Sequence, residues 1–119
     1  MTAWRHDIHR HPETAFEERR TAAFVAAKLA EFGVEVHTGL AGTGVVGTIA
    51  GKRGDGRAIG LRADMDALHL HESNEFPHRS AHTGKMHGCG HDGHTTMLLG
   101  AAKVLAERRG FKGRVHVIF

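Results

Sequence analysis

The sequence has few of the residues and segments that mark secreted or membrane-spanning proteins. Its 119 residues include one cysteine, Cys89, so no disulfide can form within the chain, and this favours a reducing compartment. No apolar run approaches the roughly 20 residues that span a bilayer. Residues 1–7 lack the apolar segment of a secretory signal. We therefore predict a cytoplasmic protein with no membrane partner and no disulfide framework.

The chain also lacks a continuous surface of one charge. Its formal net charge of +3 is dispersed in short basic pairs that stand beside acids or glycines. A nucleic-acid-binding protein concentrates lysine and arginine on one face, so we predict no nucleic-acid partner. Histidine, in contrast, is abundant at 12 residues.

Apolar spacing and turn residues predict an α/β fold. Apolar side chains recur every three or four residues up to Phe32, which predicts a helix of about five turns. It would start at a capping box, Thr14–Glu17, and stop at Gly33. A second helix is predicted at 95–109, and strands at 34–37, 44–50, 57–64 and 114–119. Alternating helices and strands favour an α/β layer fold.

The last predicted strand, residues 114–119, is rich in valine, isoleucine and phenylalanine. A strand of this composition is normally covered by further chain. We therefore expect the sequence to be part of a longer protein. We also expect the chain on its own to expose an apolar edge strand that invites self-association.

Residues 86–94 concentrate groups that bind metals. Cys89 and His91 stand two apart with glycines on either side, and in an extended loop such residues point the same way. Thiolate and imidazole suit zinc, and imidazole also serves manganese, cobalt or nickel. From spacing alone, other interpretations stay open. Cys89 is equally a small buried side chain or a nucleophile activated by a nearby histidine.

The residues around this pair allow more than one role. His87 and His94 are candidates for ordinary surface histidines. Asp92 is a candidate either to orient an imidazole or to cap the helix that follows.

Two other clusters carry charged or metal-binding side chains. Asp64 ends the strand predicted at 57–64 and Asp66 follows it, and ligands collect at the carboxyl ends of strands in α/β sheets. Spacing alone favours a turn with solvated acids over a cation site. Residues 5–13 are dense in histidine. For them we favour a polar helix anchored by Ile8, with its other side chains solvated, over a metal-binding tract.

Together these segments resemble a known family. Residues 5–18, 61–68 and 84–95 are similar, in order and spacing, to the metallo-amidohydrolases typified by hippurate hydrolase, N-acyl-amino-acid amidohydrolase and the plant indole-acetyl-amino-acid hydrolases. That group is a branch of the aminoacylase and carboxypeptidase di-metal peptidases. The stretch Met86–His94 carries the most specific part of the resemblance.

The resemblance implies a zinc-peptidase-like three-layer α/β fold with a mixed sheet. Residues 1–119 would be the N-terminal portion of its catalytic domain, without the inserted lid and dimerisation domain. Cys89 and His91 would be metal ligands, and Asp66 the aspartate that orients a ligand, with Asp64 its neighbour. The full-length enzyme would hold two divalent ions, zinc or manganese, with cobalt or nickel as alternatives. It would hydrolyse small N-acyl amino acids and form a homo-oligomer.

Two departures from the family pattern qualify these expectations. His69 stands where the family usually has proline. In the family, the strand that matches residues 115–119 runs into a Gln-Pro-Ala-Glu-Glu stretch that supplies the general base and a further ligand, and two histidine ligands follow later. We therefore expect the isolated chain to be inactive. The alternatives are a truncated, non-catalytic product or half of a split enzyme.

Overall fold

The computed structural model describes residues 1–119, which form three helices and four strands. The helices are α1 (Thr2–Arg10), α2 (Arg19–Glu31) and α3 (His91–Arg108). The strands are β1 (Glu35–Leu40), β2 (Gly44–Ala50), β3 (Ala58–Arg62) and β4 (Arg114–Ile118). None of the helices combines the length and the apolar composition that crossing a membrane requires.

The strands form one mixed sheet in the order β1-β2-β4-β3. β2 is antiparallel to both β1 and β4, whereas β3 and β4 are parallel and joined through α3. The predicted α/β fold with a mixed sheet is therefore confirmed. The expectation that the last strand is an exposed edge was wrong, because Val115 pairs with Ile49 on one side and with Ile59 on the other.

The apolar core lies where α2 and α3 pack together against the sheet. It joins 14 buried side chains, among them Leu29 of α2, Leu99 of α3 and Val117 of β4. Gly47 in β2 allows this close approach, since a Cβ there would lie 2.8 Å from Val117 and 3.1 Å from Leu29. Because the core fixes α3 against β3 and β4, it also fixes the edge of the sheet where the candidate site lies.

The structure corrects the predicted boundaries of the helices. α2 begins at Arg19 and not at the predicted capping box. The Glu17 N–H instead donates to the Thr14 carbonyl, and Thr14 forms a bridge with Ala67, so this segment is a turn tied to the loop after β3. α3 begins at His91, earlier than predicted, which places the end of the 86–94 motif inside the helix.

Residues 2–10 form the predicted polar helix, and Ile8 is its fully buried anchor. The expectation that the rest of this helix is solvated was wrong for His9, which is only 4% exposed. Its ring lies between two buried carboxylates, and their hydrogen bonds replace those that water would provide.

Candidate metal centre

The candidate site lies where β3 ends and α3 begins. Asp64 and Asp66 follow β3 directly, while His91 and His94 occupy the first turn of α3. Gly90 precedes the helix with a φ of 80°, in the left-handed region that glycine adopts without strain. This turn brings the histidines of the 86–94 motif to the two aspartates.

His91 is held in a defined orientation by Asp66. Its Nδ1 lies 2.9 Å from both the backbone oxygen and the Oδ1 of Asp66, two acceptors to which an Nδ1–H donates. With the proton on Nδ1, the Nε2 lone pair is available to a cation, and Nε2 lies 3.7 Å from Oδ1 of Asp64. A carboxylate that fixes the tautomer of an imidazole is the arrangement metal-binding histidines commonly use.

Asp64 is the negatively charged member of the site. Its Oδ1 lies 2.9 Å from Nδ1 of His94, and Arg62 approaches the other oxygen at 3.4 Å. The hydrogen bond from His94 lowers the pKa of Asp64 and outweighs the opposing effect of burial, and His91 and Arg62 lower this pKa further. Asp64 is therefore ionised at neutral pH, and Thr95 fixes its backbone by donating to its carbonyl at 3.0 Å.

The ligand atoms of Asp64, His91 and His94 all lie within 4.8 Å of one another. One carboxylate and two imidazoles form a donor set that zinc and other divalent transition metals accept. The sequence alone left His94 as a candidate surface histidine. The sequence feature that could have identified His94 is its position three residues after His91, because residues at that spacing are neighbours on the surface of a helix.

Cys89 lies outside this group of three. It is exposed in the loop before α3, so the interpretation as a buried small side chain was wrong. Its assignment as a metal ligand stays a prediction.

His87 is buried, which overturns its interpretation as a surface residue. Burial lowers the pKa of His87 to about 4 and outweighs the opposing effect of Asp92, so the ring is neutral at pH 7.

Asp92 is fully buried and contacts α1. Its Oδ2 accepts a hydrogen bond from Nε of Arg5 at 3.0 Å and lies 2.9 Å from Nδ1 of His9. Asp92 was a candidate either to orient an imidazole or to cap the helix. It does contact an imidazole, but that imidazole belongs to His9 and not to a predicted ligand. Burial raises the pKa of Asp92, whereas hydrogen bonds from His9, the Gly93 N–H and Arg5 lower it by more.

Glu72 lies on the other side of His9. Its Oε1 is 3.0 Å from Nε2 of His9, and Oε2 accepts from the Ser80 N–H at 2.5 Å. Burial opposes ionisation of Glu72. The hydrogen bonds from His9, Ser80 and Asn74 outweigh it and lower the pKa to about 2. Neither Glu72 nor His9 was identified from the sequence.

Comparison with known proteins places this arrangement in a family. The sequence profile of peptidase family M20/M25/M40 matches residues 60–119, half of the chain. Hippurate hydrolase of Campylobacter jejuni is 51% identical over 115 residues, and N-acyl-L-amino acid amidohydrolase of Geobacillus stearothermophilus is 43% identical over 120. The crystal structure of the Bacillus subtilis YXEP protein, described as a dinuclear metal-binding M20 peptidase, superposes with a TM-score of 0.94 at 41% identity.

The chain spans about a third of the proteins it resembles. The match covers 97% of the chain but 30% of the C. jejuni enzyme, 100% of the chain but 32% of the G. stearothermophilus enzyme, and 99% of the chain but 33% of the B. subtilis protein. With the matched profile and the shared fold, the chain belongs to the M20/M25/M40 family of peptidases.

Proposed function

We propose that the chain contributes a metal-binding part to the active site of an amidohydrolase that cleaves N-acyl amino acids. The observation that carries the proposal is the convergence of Asp64, His91 and His94 at the start of α3, with Asp66 on the second ring nitrogen of His91. The relatives named hippurate hydrolase and N-acyl-L-amino acid amidohydrolase support the substrate class.

The residues present fit a divalent cation. Asp64 brings a negative charge, His91 brings an Nε2 lone pair, and neighbouring His94 adds an imidazole. We propose zinc or manganese, with cobalt or nickel as alternatives, and two ions in the complete centre, as described for the B. subtilis relative. Cys89 is the proposed additional ligand, on the strength of the family resemblance. Divalent ions in such centres polarise the substrate carbonyl and lower the pKa of a bound water.

The chain's own residues have two tasks in this proposal. Asp66 accepts a hydrogen bond from the Nδ1–H of His91, which leaves the Nε2 lone pair available for a cation. Asp64 is negatively charged at neutral pH, and the hydrogen bond from His94 lowers its pKa further below the ordinary value of 3.8.

Zinc binding tests the proposal directly. Isothermal titration of the chain with zinc is compared with His91→Ala, Asp64→Ala and Cys89→Ala. His37→Ala, on β1 and away from the site, is the matched control. We expect His91→Ala and Asp64→Ala to weaken binding by at least about tenfold and His37→Ala to leave it unchanged. Equal binding by all of these proteins would overturn the proposed centre.

Hydrolysis of hippurate by the zinc- or manganese-loaded chain tests the second part. No residue of the chain matches the family's general base, and loss of that group alone costs about 10²–10⁴ in rate. We therefore expect metal binding without turnover above background. Metal-dependent turnover that disappears in Cys89→Ala would show instead that these residues suffice for catalysis.

A further inference from the structure

A row of hydrogen-bonded polar side chains, all of them buried except Arg5, joins α1, the loop after β3 and the start of α3. We call Arg5, His9, Glu72 and Asp92 the His9 network. The His9 ring lies between Glu72, 3.0 Å from Nε2, and Asp92, 2.9 Å from Nδ1, and Arg5 donates to the same oxygen of Asp92 at 3.0 Å. The side chains of His9, Glu72 and Asp92 are each at most 5% exposed.

The network pairs each of its two carboxylates with a nitrogen donor. Glu72 and Asp92 each place a carboxylate oxygen within hydrogen-bonding distance of one ring nitrogen of His9, and a carboxylate accepts hydrogen bonds without donating any. Each ring nitrogen of His9 must then donate a proton for both bonds to form. Two donors, Arg5 and His9, thus face two carboxylates. Such compensation is what allows charges to be buried, and loss of one member leaves the others unpaired.

Asp92, at one end of the His9 network, is the residue next to His91 in the sequence. Gly90, the residue before α3, has no side chain to cap the first turn, so contacts from other segments help to hold that turn. Asp66 holds the turn through His91, and α1 holds it through Asp92. These two anchors act together with the contacts that His94 and Thr95 make with Asp64.

We propose that His9 is a positioning residue for the metal centre and acts through its Nδ1 bond to Asp92. This bond fixes the first turn of α3 so that His91 and His94 face Asp64. The bond from Nε2 to Glu72 has a different task, which is to hold the loop that contains Ser80. The inference rests on the proposed function, because it assigns His9 a role in the same metal centre.

Two variants of one residue separate these tasks. The amide nitrogen of asparagine overlies Nδ1 of histidine, so His9→Asn keeps a donor for Asp92 and loses the one for Glu72. The amide nitrogen of glutamine overlies Nε2, so His9→Gln keeps the donor for Glu72 and loses the one for Asp92. Each variant loses one hydrogen bond to a carboxylate. A purely structural role would therefore affect both proteins alike.

Zinc affinity by titration and the His91 ring signals in ¹H–¹⁵N NMR are the measurements. We expect His9→Gln to bind zinc at least about tenfold more weakly than the wild type, with shifted His91 ring signals before any metal is added. His9→Asn and Glu72→Gln should stay within about threefold of the wild type, with unchanged His91 signals. Equal zinc affinities for His9→Asn and His9→Gln would overturn the proposal.

Two further variants keep the test decisive. If His91→Ala binds zinc as the wild type does, the metal centre itself is wrong. If His91→Ala loses zinc while the two His9 variants bind equally, only the positioning role is wrong. Should His9→Gln fail to fold, Asp92→Asn replaces it, since it removes the carboxylate that Nδ1 of His9 contacts. Zinc binding weakened by about threefold or more then supports the proposal, and unchanged binding overturns it.

Discussion

The packed face of the sheet and the loop region of residues 63–90 are stabilised by different forces. Between the sheet and the helices α2 and α3, the buried side chains are almost all apolar. Around the loop, the buried groups include His9, His87 and Asp92 together with the side chain of Glu72. Apolar burial contributes through area and does not depend on pH, whereas a buried charge is stable only while each partner keeps its protonation state.

The apolar half of the molecule, the sheet with α2 and α3, is the scaffold. The polar half, around the loop of residues 63–90, contains the candidate site. The apolar half fixes the positions of β3 and α3, and the polar half sets how the ends of these elements face each other. We expect damage to the first half to lower stability at every pH. Damage to the second half should have a pH-dependent effect on stability, and loss of the contact between His9 and Asp92 should also weaken metal binding.

Truncation of a core side chain should have the largest effect. Leu99 is fully buried between α3 and the sheet, so Leu99→Ala should lower the free energy of unfolding by about 4 kcal/mol. The loss should be the same at pH 4 and pH 7 in urea titrations. Val104→Ala on the exposed side of the same helix is the control and should change stability by no more than about 0.5 kcal/mol. A strongly pH-dependent loss for Leu99→Ala would contradict the division into two halves.

Glu72, in the polar half, should contribute a stabilisation that depends on pH. Its pKa falls from 4.5 to about 2 on folding, which corresponds to about 3 kcal/mol. This stabilisation is fully present above pH 4.5 and is lost as the pH falls toward 2, because the unfolded state then binds the proton first.

The measurement is the stability difference between the wild type and Glu72→Gln from pH 6 to pH 2.5. The difference should shrink steadily below about pH 4.5. If the stability difference between the two proteins stays constant across this range, the contact with His9 does not lower the pKa of Glu72.

A methyl group added at Gly47 should test how closely α2 approaches the sheet. The new Cβ would lie within 3.1 Å of side chains of Val117, Val34 and Leu29, so Gly47→Ala should destabilise by about 2 kcal/mol. Gly93→Ala in the first turn of α3 meets no atom within 4 Å and should instead stabilise by up to about 1 kcal/mol. Thermal melts that rank the two variants in the opposite order would contradict this packing.

The smallest effect should come from a surface ion pair. Lys103 and Glu107 lie four residues apart on α3 with a nitrogen–oxygen distance of 4.0 Å. Glu107→Gln should lower stability by no more than about 0.5 kcal/mol, and added salt should reduce even that difference. A loss above 1 kcal/mol would show that surface charge contributes more than this comparison allows.

Local patterns predicted the scaffold better than the site. Residues 44–50 form a strand with the predicted bounds, because β-branched valine, threonine and isoleucine side chains fit a strand whose residues are alternately buried. The start of α3 was missed, since the loop sequence before Thr95 carries no apolar periodicity and contacts with Asp66 and α1 stabilise its first turn. For the same reason His9 was expected in solvent. Nothing near it in sequence reveals that its partners are Glu72 and Asp92, 63 and 83 residues away.

The sequence separation within the His9 network also has a consequence during synthesis. The chain emerges from the ribosome N-terminus first, yet the contact between His9 and Asp92 joins residues 83 positions apart. At about 5–20 residues per second, roughly 4–17 s pass between the synthesis of His9 and that of Asp92. Through that interval the helix has neither Asp92 nor, for most of it, Glu72 to dock against. We therefore expect its apolar anchor Ile8, fully buried in the folded chain, to stay accessible to chaperones until the start of α3 has been made.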